Sequence, residues 1–113
     1  MGDVKIVKHS PEIRSAVQAA KARALEIIGG KGETYAKMLC PVDTGRLRNS
    51  ITHVQEDEST EIIGTNVEYA PYVELGTVKQ SAQPFLRPAA ANHVAEYQRI
   101  WQIELNYAGG KDK

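Results

Sequence analysis

The most constraining feature of this chain is the stretch from Ser10 to Pro41, which carries the punctuation of one long helix. Ser10 can cap the free amides of a first turn, and Pro11 at the first helical position gives up only a donor that had no partner. Pro41 ends the helix, because the residue before a proline is pushed out of the helical region. At 100° per residue, Ile13, Ala16, Val17, Ala20, Ala24, Ile27 and Ile28 fall within about a third of the circumference. Arg14, Ser15, Gln18, Lys21, Arg23 and Glu26 lie outside it. An alanine-rich stripe of this kind lets a neighbouring element approach closely.

Gly29, Gly30 and Gly32 weaken that helix by about 1 kcal/mol each relative to alanine. The phase nevertheless survives them. Tyr35 and Met38 return to the stripe and Leu39 to its edge, which predicts one helix to about Leu39, soft or kinked near residues 29–32. The alternative is two helices joined by a glycine turn.

Downstream, Pro41 to Leu47 has turn chemistry, with Asp43 able to accept from amides ahead of it and Gly45 tolerant of positive φ. Ser50–Gln55 and Glu61–Val67 are rich in β-branched residues and predict an antiparallel hairpin around a polar Glu56–Thr60 loop. Ile51 and Val54 would face opposite sides, which calls for a bulge or a strand covered on both faces. Pro71 and Gly76 bracket about one helical turn. Residues 78–83 are unpatterned and predict a mobile loop, and Pro84–Pro88 an extended segment. Pro88 then opens a second helix whose face is Ala90, Val94, Tyr97, Trp101 and Leu105, with Ile100 and Ile103 off it. The expected fold is α+β: a long N-terminal helix and a C-terminal helix packed on a small antiparallel β-sheet. Residues 1–113 make a single domain, with an arm at 1–9 and a flexible tail at 107–113.

The 113 residues carry 14 Lys+Arg and 14 Asp+Glu, a net charge of zero. That excludes a globally basic nucleic-acid coat. One cysteine excludes an internal disulfide framework and any multi-cysteine zinc site. No apolar run reaches the roughly 20 residues of a membrane span, and the start lacks the apolar core of a secretory signal. The neutral sum hides an asymmetry. Residues 5–48 hold nine bases and four acids, whereas residues 56–74 hold six acids and no base. Two such faces on one subunit could match head to tail around a closed ring.

No motif points to a reaction. Asp43-Thr44-Gly45 matches the aspartic-protease tripeptide, but Arg46 follows where that class has a small residue, and a long helix precedes it. His9, His53 and His93 show no paired spacing and are expected to be ordinary surface histidines. Cys40 has no visible base and is expected to be a half-buried structural thiol, although Lys37 and Arg46 nearby would lower its pKa. Glu56, Asp57, Glu58 and Glu61 suggest a solvated hairpin tip. No Walker loop, G-x-S-x-G or H-E-x-x-H occurs. The expectation is a non-enzymatic protein with no cofactor and no metal.

Three islands together resemble a tailed-phage family. Pro41-Val42-Asp43-Thr44-Gly45-Arg46-Leu47-Arg48-Asn49-Ser50-Ile51 is similar to its "PVDTGRLRxSI" signature. Residues 64–77 resemble its "G…YAxYVExGT" segment, and Gln83–Ala89 its "QPFLRPA" segment. The family is the head–tail joining, or tail-completion, group of long-tailed phages and prophages. The resemblance implies a structural virion protein at the head–tail junction, made in the host cytoplasm. Its implied partners are the neck or connector and the tail-tube or tail-terminator proteins, in a possible hexameric ring through whose lumen genome DNA passes without sequence-specific contact. No catalytic residue carries over. The motif implies structural or interface roles: Asp43 and Gly45 for the turn; Tyr69, Tyr72 and Phe85 for packing; Glu74 and Gly76 for the short helix and its stop. Arg46, Arg48 and Arg87 are candidates to pair with Glu68 or Glu74. The competing reading is a small nucleic-acid-binding module that uses Lys21, Lys31 and Lys37 of the basic first helix.

Overall fold

The computed structural model describes residues 11–108. Its elements are α1 (Pro11–Leu39), α2 (Arg46–Ser50), β1 (Thr52–Asp57), β2 (Thr60–Gly64), α3 (Ala70–Leu75), α4 (Leu86–Ala91) and α5 (Val94–Ala108). The fold is α+β, and α1 is one unbroken helix of about 43 Å that sets the long dimension of a 60 × 27 × 20 Å molecule. Helix α5 runs antiparallel along it. Arg23 Nε meets Glu104 at 3.1 Å, Lys31 meets Glu96 at 3.3 Å, and the Tyr35 ring stacks on His93 with centroids 3.6 Å apart. None of the described helices is long and apolar enough to cross a membrane. The arm at 1–9 lies outside the described residues. Of the tail expected at 107–113, Tyr107 and Ala108 belong to α5, and residues 109–113 lie outside the described residues.

The buried stripe of α1 keeps Ala20 and Ala24 of the one that a fixed azimuth predicts, but departs from it toward both ends of the helix. Ala20, Ala24, Leu25, Gly29, Gly32 and Ala36 are buried, whereas Ile13, Ala16, Ile27 and Met38 are exposed. Rows of side chains four apart are inclined to the helix axis, and Ala20, Ala24, Ile28, Gly32, Ala36 and Cys40 make one such row. The core follows that row around the helix.

The glycines are sites of close approach, not a kink. A Cβ on Gly29 would collide with the Glu61 carboxylate and with His53 Nδ1, and would lie 2.8 Å from Glu61 Cδ. One on Gly32 would come to 3.2 Å from Ile63 Cγ2, whereas one on Gly30 meets nothing within 4 Å. Alanine at adjacent positions is therefore expected to act with opposite sign. Gly30→Ala should stabilise by up to about 1 kcal/mol through helix propensity. Gly29→Ala should destabilise by about 1–2 kcal/mol, because overpacking outweighs the same gain. Urea unfolding of both variants checks this, and a stabilised Gly29→Ala would show that the hairpin does not rest on the helix backbone.

The hairpin pairs Thr52 with Gly64, His53 with Ile63, Val54 with Ile62, Gln55 with Glu61 and Asp57 with Thr60, with a bulge between Gln55 and Asp57. The connection is thus two residues, Glu58-Ser59, not five. Ser59 N–H donates to the Asp57 carboxylate at 2.9 Å, one of the bonds that hold that carboxyl below its ordinary range. Ile51 precedes the strand and is buried in the core, so its mismatch with exposed Val54 disappears. His53 and Ile63 face α1, while Val54 and Ile62 form the exposed outer pair.

The predicted extended segment at Pro84–Pro88 is corrected, since Leu86, Arg87 and Pro88 open α4. The predicted second helix is also split, at Asn92-His93. Tyr97 and Trp101 keep the predicted inner face, and Ile100 joins them, all partly buried. Tyr97 Oη donates to the Ala89 carbonyl at 2.6 Å and ties the two pieces together. The core gathers Ala36, Cys40, Leu47, Ile51, Val67, Ala70, Phe85 and Ala89, where the end of α1 meets α2, α3 and α4.

Candidate assembly surface

After Pro41, the chain must reverse within a few residues. Gly45 does so at φ 89° and caps α2, a helix that turn chemistry alone did not predict. The acceptor in this turn is Thr44, whose Oγ1 takes the Arg46 N–H at 3.2 Å; Asp43 is exposed. The protease reading fails here in structure as well, because the tripeptide joins two helices instead of lying in a β-loop. Arg46 reaches over the Tyr69 ring, 5.4 Å from its centroid, and forms a two-pronged pair with Glu68 at 2.9 and 3.3 Å. That pair holds the Glu68 carboxyl below its ordinary value. Ser50 Oγ donates to the Leu47 carbonyl at 2.6 Å and faces Thr65 Oγ1 at 2.5 Å, which itself accepts from Val67 N–H. Neither hydroxyl carries a signal in the sequence that marks it for this role. Arg48 is exposed and its backbone carbonyl accepts from Ile51 N–H.

Helix α3 begins after Tyr69, carries Pro71 in its first turn and stops at Gly76, φ 83°. Glu74 does more than the motif suggested. Its Oε1 accepts from Phe85 and Leu86 N–H at 3.0 and 2.9 Å, and its Oε2 accepts from Arg87 N–H at 3.0 Å. The next residue, Pro88, has no N–H. One carboxylate therefore satisfies every free donor at the start of α4. Burial pushes the Glu74 carboxyl up, but the backbone bonds from Leu86, Phe85 and Arg87, with the Arg87 charge, outweigh it and leave the pKa below its ordinary value. Phe85, next to this cap, is fully buried. Tyr72 does not pack as the motif implied. It is 60% exposed, because the inner side of α3 is taken by Ala70 and Val73.

The loop after α3 is folded. Thr77 and Gln80 exchange backbone hydrogen bonds, and Gln83 N–H donates to the Val73 carbonyl at 2.8 Å. The turn at 41–45, α3 and the loop at 77–83 leave Val42, Tyr72, Leu75 and Val78 exposed. Two pairs between the basic 5–48 stretch and the acidic 56–74 stretch form within one chain: Arg46 with Glu68 and Lys21 with Glu58.

The described chain thus has the three motif islands at one end and a long helix leading into them. A family model described as "Bacteriophage HK97-gp10, putative tail-component" matches residues 5–76. The chain belongs to the HK97-gp10-like family of phage tail components. Comparison with curated proteins and with solved structures returns no match. The HK97-gp10-like match covers all of α1 and extends to the stop of α3, so Glu74 lies inside it and the α4 amides it holds lie beyond it. A structural role in the phage tail follows from this membership.

Three side chains in this HK97-gp10-like chain, Cys40, His53 and His93, are more buried than the sequence leads one to expect. Cys40 is buried, with Sγ 3.4 Å from the Pro41 carbonyl. Burial pushes its thiol up, and the opposing cation is Arg48, not Lys37 or Arg46. Its reaction with a disulfide reagent at pH 8 is expected to be at least about tenfold slower than that of free cysteine; an equal rate would contradict this burial. His53 and His93 are half-buried, not surface groups.

Proposed function

We propose that this protein is a non-enzymatic structural component at the head-proximal end of the tail, which completes the tail and joins it to the neck. The observation that supports this is the end formed by the 41–45 turn, α3 and the 77–83 loop. It exposes Val42, Tyr72, Leu75 and Val78 on backbone locked by Gly76 and the Glu74 cap. Exposed apolar residues on a rigid frame suit docking to another protein. Neck or connector proteins on one side and tail-tube or terminator proteins on the other are the partners. Identical copies in head-to-tail contact would close a ring, sixfold on a hexameric tube, at the head–tail junction of the virion.

The nucleic-acid reading relies on three lysines that already have acidic partners. Lys21, Lys31 and Lys37 each lie within 4.0 Å of a carboxylate of the same chain, Glu58, Glu96 and Glu33 respectively. Electron microscopy of particles made with and without the protein tests the proposal: tails that assemble but do not join heads are expected in its absence. Light scattering with isolated tails gives a second readout. Failure to associate with tails or neck complexes under any condition, or salt-dependent DNA binding of the isolated protein, would overturn it.

A further inference from the structure

A cluster under the hairpin has no part in the assembly surface. His53 of β1 and Glu61 of β2 are diagonal neighbours on the face that meets α1. His53 Nδ1 lies 2.8 Å from Glu61 Oε2. On its other side, His53 Nε2 lies 3.6 Å from Glu33 Oε1 and 3.8 Å from Glu26 Oε2, two carboxylates that flank Gly29 and Gly30 on α1. The ligand atoms of Glu26, His53 and Glu61 all lie within 4.8 Å of one another.

Two further observations set this apart from a group of surface acids. The Glu61 side chain is only 5% exposed, and its Oε1 is enclosed without any hydrogen-bond partner. A buried carboxylate oxygen left unpaired is costly. Secondly, the carboxylate–imidazole pair sits where Gly29 has no Cβ, so the helix backbone itself makes the cradle. The local charge points the same way. Three carboxylates surround one imidazole, and the nearby cation, Lys37, is held by Glu33 at 2.7 Å.

We infer that Glu26, His53 and Glu61 form a site for a divalent transition-metal ion of the zinc class, with Glu33 beside it. Imidazole with carboxylates is a donor set that Zn²⁺ and Co²⁺ accept. Tetrahedral bonds of about 2.0–2.1 Å need donor atoms roughly 3.4 Å apart. Glu26, 76% exposed, has the freedom to close that gap. The ion would bridge the middle of α1 to both strands and fasten the hairpin to the helix. Its binding would therefore appear as stability of the fold.

The test is calorimetric titration of the chelator-treated full-length protein with Zn²⁺ in a non-coordinating buffer at pH 7.5, with Co²⁺ absorption as a second readout. One saturable site is expected, with visible Co²⁺ bands and a Tm raised by roughly 10 °C at a hundredfold excess over Kd. Glu26→Gln should weaken binding at least about tenfold and shrink the Zn²⁺-induced rise in Tm, measured against the variant's own metal-free Tm. His53→Gln should abolish it, and His93→Gln and His9→Gln should not. If His53→Gln does not fold, the Glu26→Gln result decides. Absence of saturable Zn²⁺ binding, or wild-type affinity in Glu26→Gln, would overturn the assignment and leave a hydrogen-bonded imidazole–carboxylate cluster.

Discussion

Gly76→Ala is expected to destabilise the protein by about 3–4 kcal/mol, the larger of two effects centred on α3. Gly76 sits at φ 83°, ψ 173°, a combination open to glycine and strained for any residue with a Cβ. The added methyl would also strike backbone. It would lie 2.8 Å from Ala82 N and 3.1 Å from both Ala82 Cα and Gln80 O. Backbone cannot rotate out of the way as a side chain can. The loop is pinned by Thr77 N–H to Gln80 O at 2.9 Å and Gln83 N–H to Val73 O at 2.8 Å, so relief would break one of these bonds. Thermal unfolding should show a Tm at least about 10 °C below wild type. Gly64→Ala is the control, because a Cβ there meets nothing within 4 Å. A Gly76→Ala protein as stable as wild type would mean that the 77–83 loop is not held against α3.

What the sequence disclosed follows the range of the interaction concerned. The helix end at Pro41 and the stop at Gly76 depend on a residue's own backbone or its neighbour's, and they are legible in the sequence. So is the continuity of α1, because helical phase accumulates locally. The buried row of α1 is legible only in part, since Ile13 and Ile27 are excluded by where α5 and the hairpin lie. Composition alone puts Glu61 at a solvated tip, because the bulge after Gln55 is invisible in it. With the bulge, the connection shrinks to Glu58-Ser59 and Glu61 swings beneath the sheet. The motif resemblance singled out Glu74 but not its work, because its donors are 11 to 13 residues away. Tyr72 shows the converse: a motif aromatic next to proline reads as core, yet one turn of helix has only one inner side. An exposed residue within a family signature is then better sought at a contact with another protein than in the packing of its own chain.

Glu74→Ala is expected to cost about 2–3 kcal/mol, because it removes the acceptor for three amides at the start of α4. Phe85, fully buried beside that cap, and Leu86 against the core would lose the geometry that seats them. Glu74→Gln should cost about 1 kcal/mol less: an amide keeps one acceptor oxygen but gives up the second and the charge that favours a helix start. The two variants also differ from wild type in their response to acid. The Glu74 pKa is lowered in the folded state from an ordinary value of 4.5. Its contribution is therefore complete above the unfolded value and is lost as pH falls through the lower folded one. Glu68, Glu96 and Asp57 are lowered as well and give all three proteins an acid limb. The Glu74 share is the difference: the stability gap between wild type and Glu74→Gln should be constant from pH 8 to about 6 and narrow below pH 4.5. Urea titrations across that range read it directly. A gap that stayed constant down to pH 3 would show that the Glu74 charge does not hold α4, and would move the origin of the corner's rigidity to the packing of Phe85.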